Sequence, residues 1–244
     1  MNLVQASRTS LDYCDVEKKD LHVCYTTYGA YINADTSDFH GIQRAIDLNL
    51  IPSALTDVVV SSRFLHALAL FDTDHNARAF TAMRNPIERI ISTFYYLQQA
   101  KWERQYDEKY KKMNLIEYIK SAESPSNWMV RWLTGKQNEK ILTEDDLKFA
   151  KEIIQKKFLI LLTEEMQTSF ERLMKYMKWG VDEAGKQCLE ENLSKVTRHN
   201  KNLHPDIEVG SEEYNIMKEK NLLDIELYNY AVELFSEQSN LLEQ

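Results

Sequence analysis

Glycine and proline are scarce in this 244-residue chain, at six and four residues. Their scarcity excludes low-complexity linkers and argues against an all-β architecture rich in turns. Long apolar runs are absent too: none approaches the ~18 residues of a membrane-spanning helix. The start, Met1-Asn-Leu-Val-Gln-Ala-Ser7, lacks the apolar core of a signal peptide, so targeting information is expected outside these residues. Positive charge is in deficit, with 30 Lys and Arg against 38 Asp and Glu, and the net charge of −8 excludes general nucleic-acid binding while leaving room for a local basic site. The cysteines number three, an odd count: Cys14, Cys24 and Cys188. In an oxidising lumen they allow one intrachain disulfide and a leftover thiol; in a reducing compartment they are small residues. Neither they nor the six scattered histidines have zinc-site spacing, so no metal is expected. Asn192-Leu193-Ser194 is a glycosylation sequon, a pattern short enough to arise by chance.

What is present is 43% hydrophobic content, enough for one sizeable core, so residues 1–244 are expected to form a single domain. Leu21-His-Val-Cys-Tyr-Thr-Thr-Tyr28 reads as a strand, while the rest of 1–33 shows no sustained helical period. Residues 41–50 read as a helix with Ile42, Ala45, Ile46 and Leu50 on one face. Val58-Val59-Val60 reads as a short strand and 64–71 as a helix. A strand over 77–83 leads into a helix over 86–103, and helices are predicted at 114–121 and 126–134. Thr143, with Asp146 three residues on, opens a helix through Lys157; Phe158-Leu-Ile-Leu-Leu-Thr163 is a core strand. Further helices fall at about 165–178 and 223–238. Strands separated by helices predict an α/β fold with a parallel sheet flanked by helices and a helix-rich C-terminal half.

The chemistry concentrates in Arg84-Asn85-Pro86-Ile87-Glu88-Arg89-Ile90-Ile91-Ser92. Asn85 suits an N-cap, Pro86 the first helical position and Glu88 the third, so a helix starts here. Arg84 is left at the strand's C-terminal end beside free backbone N–H groups, with Ser92 about two turns further along. A guanidinium fork plus a hydroxyl suits a phosphate dianion. The bland alternative is a strand-to-helix turn whose arginine pairs with a surface carboxylate.

Arg84-Asn-Pro-Ile-Glu-Arg89-Ile-Ile-Ser92-Thr-Phe-Tyr-Tyr-Leu97 resembles the 3′-phosphate-binding motif of sulfotransferases that use 3′-phosphoadenosine 5′-phosphosulfate (PAPS), particularly the membrane-associated carbohydrate group. Asn127-Trp-Met-Val-Arg131-Trp-Leu-Thr-Gly135, Phe158-Leu-Ile-Leu-Leu-Thr-Glu164 and Asn221-Leu-Leu-Asp-Ile-Glu-Leu-Tyr-Asn-Tyr230 extend the resemblance in the family's order over about residues 55–235. It implies a P-loop-type parallel sheet, PAPS as co-substrate, a carbohydrate or similar hydroxyl acceptor, and the Golgi lumen. Arg84 and Ser92 would hold the 3′-phosphate. Arg198, Asn200 and Lys201, in Arg198-His-Asn-Lys-Asn202, match a late basic loop that folds over the nucleotide; the bland reading is a solvated charge run. His66, upstream of the phosphate arginine, resembles the family's base for the acceptor proton, against a half-buried histidine on a helix face. His22 and His40 follow no convincing core strand. Asn127 and Arg131, one turn apart, could face a cleft and bind acceptor, while Trp128 and Trp132 suit core packing.

The family's glycine-containing donor loop near the N-terminus, which cradles the 5′-phosphosulfate, has no clear match before Gly29; the one early cluster is Ser7-Arg8-Thr9-Ser10, whose Arg8 and Ser10 are the less favoured alternative as a divergent remnant of that loop. An N-terminally shortened domain, lacking its first strand and nearly inactive, is therefore the expectation. The leading functional reading is a PAPS-dependent sulfotransferase. The alternative is a non-catalytic sulfotransferase-like binding or scaffold domain that has lost the donor loop. A nucleotide kinase is disfavoured because Gly-x-x-x-x-Gly-Lys-Ser/Thr is absent.

Overall fold

The computed structural model describes residues 3–103, 106–179 and 204–241, with Glu183 and Gln187 between the last two segments. Contacts divide the chain into two compact units, Met1–Ala77 with Arg131–Glu139, and Arg78–Val130 with Lys140–Gln244.

The first unit contains β1 (Val4–Ala6), α1 (Ser10–Tyr13), β2 (Val23–Thr26), β3 (Gly29–Ile32), α2 (Phe39–Asp47), β4 (Val58–Val59) and α3 (Phe64–Ala67), which runs on into a 3₁₀ turn at Leu68–Leu70. Its sheet has the order β2-β3-β1-β4. β1 runs parallel to β3 and to β4, so the expectation that residues 1–33 lack a leading strand is corrected: Val4–Ala6 is an interior strand. Three residues are too few for a periodic signal, and the strand is instead fixed by neighbours from either side. The sheet is mixed rather than wholly parallel, because β2 pairs antiparallel with β3. Only Thr27 and Tyr28 join these strands, and a two-residue link can make a hairpin but not a crossover. The Thr26 hydroxyl oxygen accepts from the Tyr28 and Gly29 backbone N–H groups at 3.0 and 3.1 Å, which fixes the turn.

Ala6, Ile32, Ala34, Ile42, Ala45 and Leu50 pack into this unit's core with Ala67 and Leu70. α2 begins where the Asp38 carboxylate accepts from Gly41 N–H at 2.7 Å. Glycine is required there, since a Cβ at position 41 would lie 1.8 Å from the Asp35 carbonyl oxygen. α1 is too short to persist alone. A Cys14–Cys24 disulfide ties its end to β2, and Tyr13 stacks on Tyr31 with ring centroids 5.2 Å apart. A disulfide fits an oxidising secretory compartment. Cys188 and the Asn192 sequon lie outside the described residues.

The second unit holds β5 (Ala79–Met83), α4 (Pro86–Leu97), α5 (Leu115–Lys120), the start of α6 (Trp128–Thr134), α7 (Glu144–Lys157), β6 (Phe158–Leu162), α8 (Met166–Met177), α9 (Glu212–Lys220) and α10 (Leu222–Leu241). β5 and β6 form a parallel pair running in register from Ala79 with Phe158 to Met83 with Leu162. The expected capping box at Thr143 and Asp146 forms and starts α7. Side chains occupy the far edge of β6. The Gln238 amide accepts from Ile160 N–H at 2.9 Å and donates to Phe158 C=O at 2.8 Å, while the Ser169 hydroxyl takes both backbone groups of Leu162. Ladder groups satisfied in this way need no further strand. Ile87, Ile90, Ile91, Phe94 and Leu97 of α4 pack on Leu115, Tyr118, Ile119 and Met217 to form the main core. α4 ends at Leu97, well short of the expected 103. No described helix is long and apolar enough to cross a membrane.

The Cys14–Cys24 link closes a loop of sequence separation 10. For so short a loop the chain-entropy relation gives about 2–3 kcal/mol. The double substitution Cys14→Ser with Cys24→Ser should lower unfolding free energy by that amount in urea titrations followed by tyrosine fluorescence. An unchanged midpoint would show that the link does not stabilise the fold.

Candidate anion-binding site

Arg84 and Asn85 leave β5 side by side with the residues that leave β6, because Met83 pairs with Leu162. Asn85 is the N-cap of α4: its side-chain oxygen accepts from Ile87 N–H at 2.9 Å and more weakly from Glu88 N–H at 3.4 Å. Pro86 occupies the first turn, as the sequence predicts. The reciprocal half of the capping box comes from elsewhere. Asn85 N–H donates to Glu164 Oε1 at 2.9 Å, not to Glu88, whose carboxylate lies 3.8 Å from His204 Nε2. Burial together with the Glu164 carboxylate pushes the Tyr228 phenol far above its ordinary value. Sequence reasoning gave Glu164 no role; the only available signal was an acidic residue closing an apolar run.

With the helix start satisfied by Asn85 and Glu164, Arg84 is not needed for it. The Arg84 guanidinium makes no hydrogen bond or ion pair with the described residues, nor does the Ser92 hydroxyl. The contrast with Thr93 is informative, because the Thr93 hydroxyl donates back to Arg89 C=O at 2.7 Å, the usual sink for a helical hydroxyl. Glu88, Ser92 and Tyr95 share one face of α4 by their spacing. His204 stacks on Tyr95, with centroids 6.1 Å apart, and approaches Glu88. Arg198, Asn200 and Lys201 lie outside the described residues.

Asn127 and Arg131 are engaged within the fold. Asn127 has the left-handed φ of 48° that asparagine tolerates. Its N–H donates to the Asn221 side chain at 2.8 Å, and its own side-chain oxygen accepts from Asp224 N–H at 3.1 Å. The fully buried Asp224 carboxylate in turn accepts from Met129 and Val130 N–H groups, each at 2.9 Å. α6 and α10 thus cap one another's first turns. Arg89 lies over the Trp128 ring at 5.1 Å; burial lowers its pKa, and the Asp224 charge opposes that shift. Arg131 is buried, and its guanidinium donates to the Lys136 and Glu139 carbonyls, closing the turn after α6. Gly135 supplies the left-handed residue there, with a φ of +72°.

The first unit carries a second polar constellation. β1 is followed by Ser7-Arg8-Thr9-Ser10 and then α1, a strand, turn and helix where the sequence suggested only an isolated cluster. The turn is closed on itself: Ser10 N–H donates to Ser7 C=O at 3.1 Å, and Ser7 N–H to the Ser10 hydroxyl at 3.3 Å. Its outward chemistry is in side chains, because Ser7 Oγ and Arg8 Nη1 are buried without a hydrogen-bond partner. His66 lies in α3, after β4, the strand beside β1. Its ring meets Phe39 edge-on at 5.5 Å, and its imidazole hydrogen-bonds none of the described residues. Among the described residues no three His, Cys, Asp or Glu side chains converge on a metal position.

No family model, curated protein or solved structure matches the chain.

Removal of the Asp224 carboxylate strands two backbone N–H groups and leaves Arg89 buried without its countercharge. Breaking one partner of such an arrangement costs about 3–5 kcal/mol. Asp224→Ala should therefore melt well below the wild type by calorimetry, and Asp224→Asn, which keeps one acceptor oxygen, should fall between. Equal melting of all three proteins would remove Asp224 from any role in capping.

Proposed function

We propose that the chain is a PAPS-dependent sulfotransferase acting on a hydroxyl of a carbohydrate or similar acceptor. The observation that carries the reading is the pair Arg84 and Ser92, polar groups without partners among the described residues on a strand-to-helix junction that other residues hold in place. A guanidinium there offers a bidentate contact and the hydroxyl a further donor, the set a 3′-phosphate takes. In this reading the sheet of the first unit belongs to a P-loop-type fold, and the Ser7–Ser10 turn takes the 5′-phosphosulfate through Ser7 Oγ and Arg8. Arg198, Asn200 and Lys201 would contribute to nucleotide binding, and the compartment would be the Golgi lumen.

The reaction balances simply. The acceptor oxygen bonds to sulfur as its proton passes to His66, the sulfur–oxygen bond to the 5′-phosphate breaks, and adenosine 3′,5′-bisphosphate leaves with the negative charge that Arg8 offsets. Asn127 and Arg131 were candidates for acceptor binding, yet their contacts with backbone groups favour a supporting role. One observation favours a second reading, a non-catalytic binding domain. The Ser7–Ser10 turn has no glycine and spends two of its N–H groups internally, so it offers a phosphosulfate fewer backbone donors than an open cradle.

Calorimetric titration with adenosine 3′,5′-bisphosphate tests the nucleotide site. Arg84→Ala should weaken binding by about 2–3 kcal/mol and Ser92→Ala by about 1. Equal affinity across the three proteins would sink the assignment.

The two readings part in a radiolabelled sulfate-transfer assay. As the base, His66 makes His66→Ala lose about 10²–10⁴-fold in turnover at nearly constant nucleotide affinity and melting temperature. A wild type that binds nucleotide and transfers nothing would support the binding domain.

A further inference from the structure

The buried polar atoms without a partner in the first unit are Ser7 Oγ, Arg8 Nη1, Arg63 Nε and Gln137 Nε2, and all four can donate a hydrogen bond. Such groups are rare in folded proteins because each costs a desolvation penalty, larger when charged. Donors of this kind, two of them on guanidinium groups, suit an anionic acceptor.

Arg63 extends this beyond the Ser7–Ser10 turn. β1 and β4 are hydrogen-bonded neighbours in which Ala6 pairs with Val59, and Val60 N–H donates to Ala6 C=O at 2.9 Å. The Thr36 hydroxyl lies 2.9 Å from the Ala6 carbonyl and 2.8 Å from that of Val60, pinning the two strand ends together. Ser7 and Arg8 therefore leave one strand, and Ser61, Ser62 and Arg63 leave the next, at the same edge of one sheet, where open α/β sheets hold ligands. The Arg63 guanidinium sits 5.4 Å from the Trp132 ring centroid. Stacking satisfies a guanidinium's flat face and leaves its in-plane N–H groups for an acceptor. Neither Arg8 nor Arg63 forms an ion pair with the described residues.

We propose that Arg63 is an oxyanion-binding residue, supplying a second guanidinium to the phosphate or sulfate group that meets Ser7 and Arg8. The name of the ligand rests on the sulfotransferase reading; the need for an oxyanion does not. The group comes either from the donor's 5′-phosphosulfate or from a sulfate or phosphate ester on the acceptor.

The test uses the full chain, Arg63→Gln, and Arg63→Lys, which keeps the charge and the stem over Trp132 but has no Nε. Inorganic sulfate is titrated first, with the Arg63 Nε–H resonance as readout. That resonance should shift in the wild type, and sulfate affinity should fall about tenfold in both variants, whose melting temperatures report folding. Adenosine 3′,5′-bisphosphate and adenosine 3′-monophosphate are then compared. A loss of about 10–100-fold in Arg63→Gln for the bisphosphate alone assigns the donor as source. Unchanged nucleotide affinity with a raised KM for a sulfated acceptor assigns the acceptor. A shift with sulfate in a wild type that binds neither nucleotide retains the oxyanion site and sinks the sulfotransferase reading. An Arg63 resonance that sulfate leaves in place, with all affinities unchanged in Arg63→Gln, overturns the proposal.

Discussion

A guanidinium N–H removed from water without an acceptor forfeits about 1–3 kcal/mol or more, and Arg8, Arg63 and Arg89 each hold such a nitrogen. The three are not equivalent. Arg89 has the Asp224 charge close enough to oppose its desolvation and an indole beneath it, so its burial belongs to the structure. Arg63 has only the indole face of Trp132, and Arg8 makes no ion pair with the described residues. Two cations kept partly out of water with no carboxylate partner among the described residues lower the stability of the chain. A fold that keeps them gains the difference back when an anion binds, which is how preorganised sites strengthen recognition.

The same logic, with the sign reversed, explains why Arg84 is available. Helix starts expose N–H groups that must be satisfied, and a basic residue beside them is often drawn into the local network. Here Asn85 and Glu164 satisfy the start of α4, while Asp224 and Asn127 satisfy α6 and α10 reciprocally. Carboxylates at these positions also complement the positive ends of the helices. They impose an electrostatic cost on any anion at Arg84, which Glu164 mitigates by accepting from the Asn85 N–H. Glu88 stays on the Ser92 face, with His204 beside it.

What could be read from sequence was set by how local each signal is. The N-cap at Asn85, the box at Thr143 and Asp146, and the apolar run at Phe158–Leu162 are short-range chemistry, and all appear where expected. α9 was missed because its apolar residues make no continuous stripe; Met217 is its one buried residue. β1 was missed because three residues hold no period, and its strand character comes from neighbours 26 and 53 positions away, as in Val4 with Ala30 and Ala6 with Val59. The site divides in the same way. Arg84 and Ser92 lie in one contiguous motif, whereas the contacts of Glu164 and Asp224 and the placement of Arg8 and Arg63 after neighbouring strands depend on pairing between distant segments. Arg131 shows the limit of local spacing, which places it beside Asn127 but cannot reveal that carbonyls five and eight residues ahead accept from its guanidinium.

The glycine-free turn after β1 carries a physical consequence of its own. A cradle made of backbone N–H groups is rigid because the chain itself holds the donors, whereas Ser7 Oγ and Arg8 depend on rotamers. Rigidity must then come from what surrounds the turn. Internal hydrogen bonds between Ser7 and Ser10 fix its base, and the four-residue α1 that follows is anchored by the stack of Tyr13 on Tyr31 and by the Cys14–Cys24 bond. Reduction of that bond leaves α1 held by the contacts of Tyr13 with Tyr28 and Tyr31 and a few hydrogen bonds, little for a helix shorter than two turns. The side chains at its entrance would lose preorganisation before the sheet lost its pairing. In the proposed reading, anion binding at Arg8 would therefore be linked to the oxidation state of the compartment through the disulfide, whereas the caps beside Arg84 involve no cysteine.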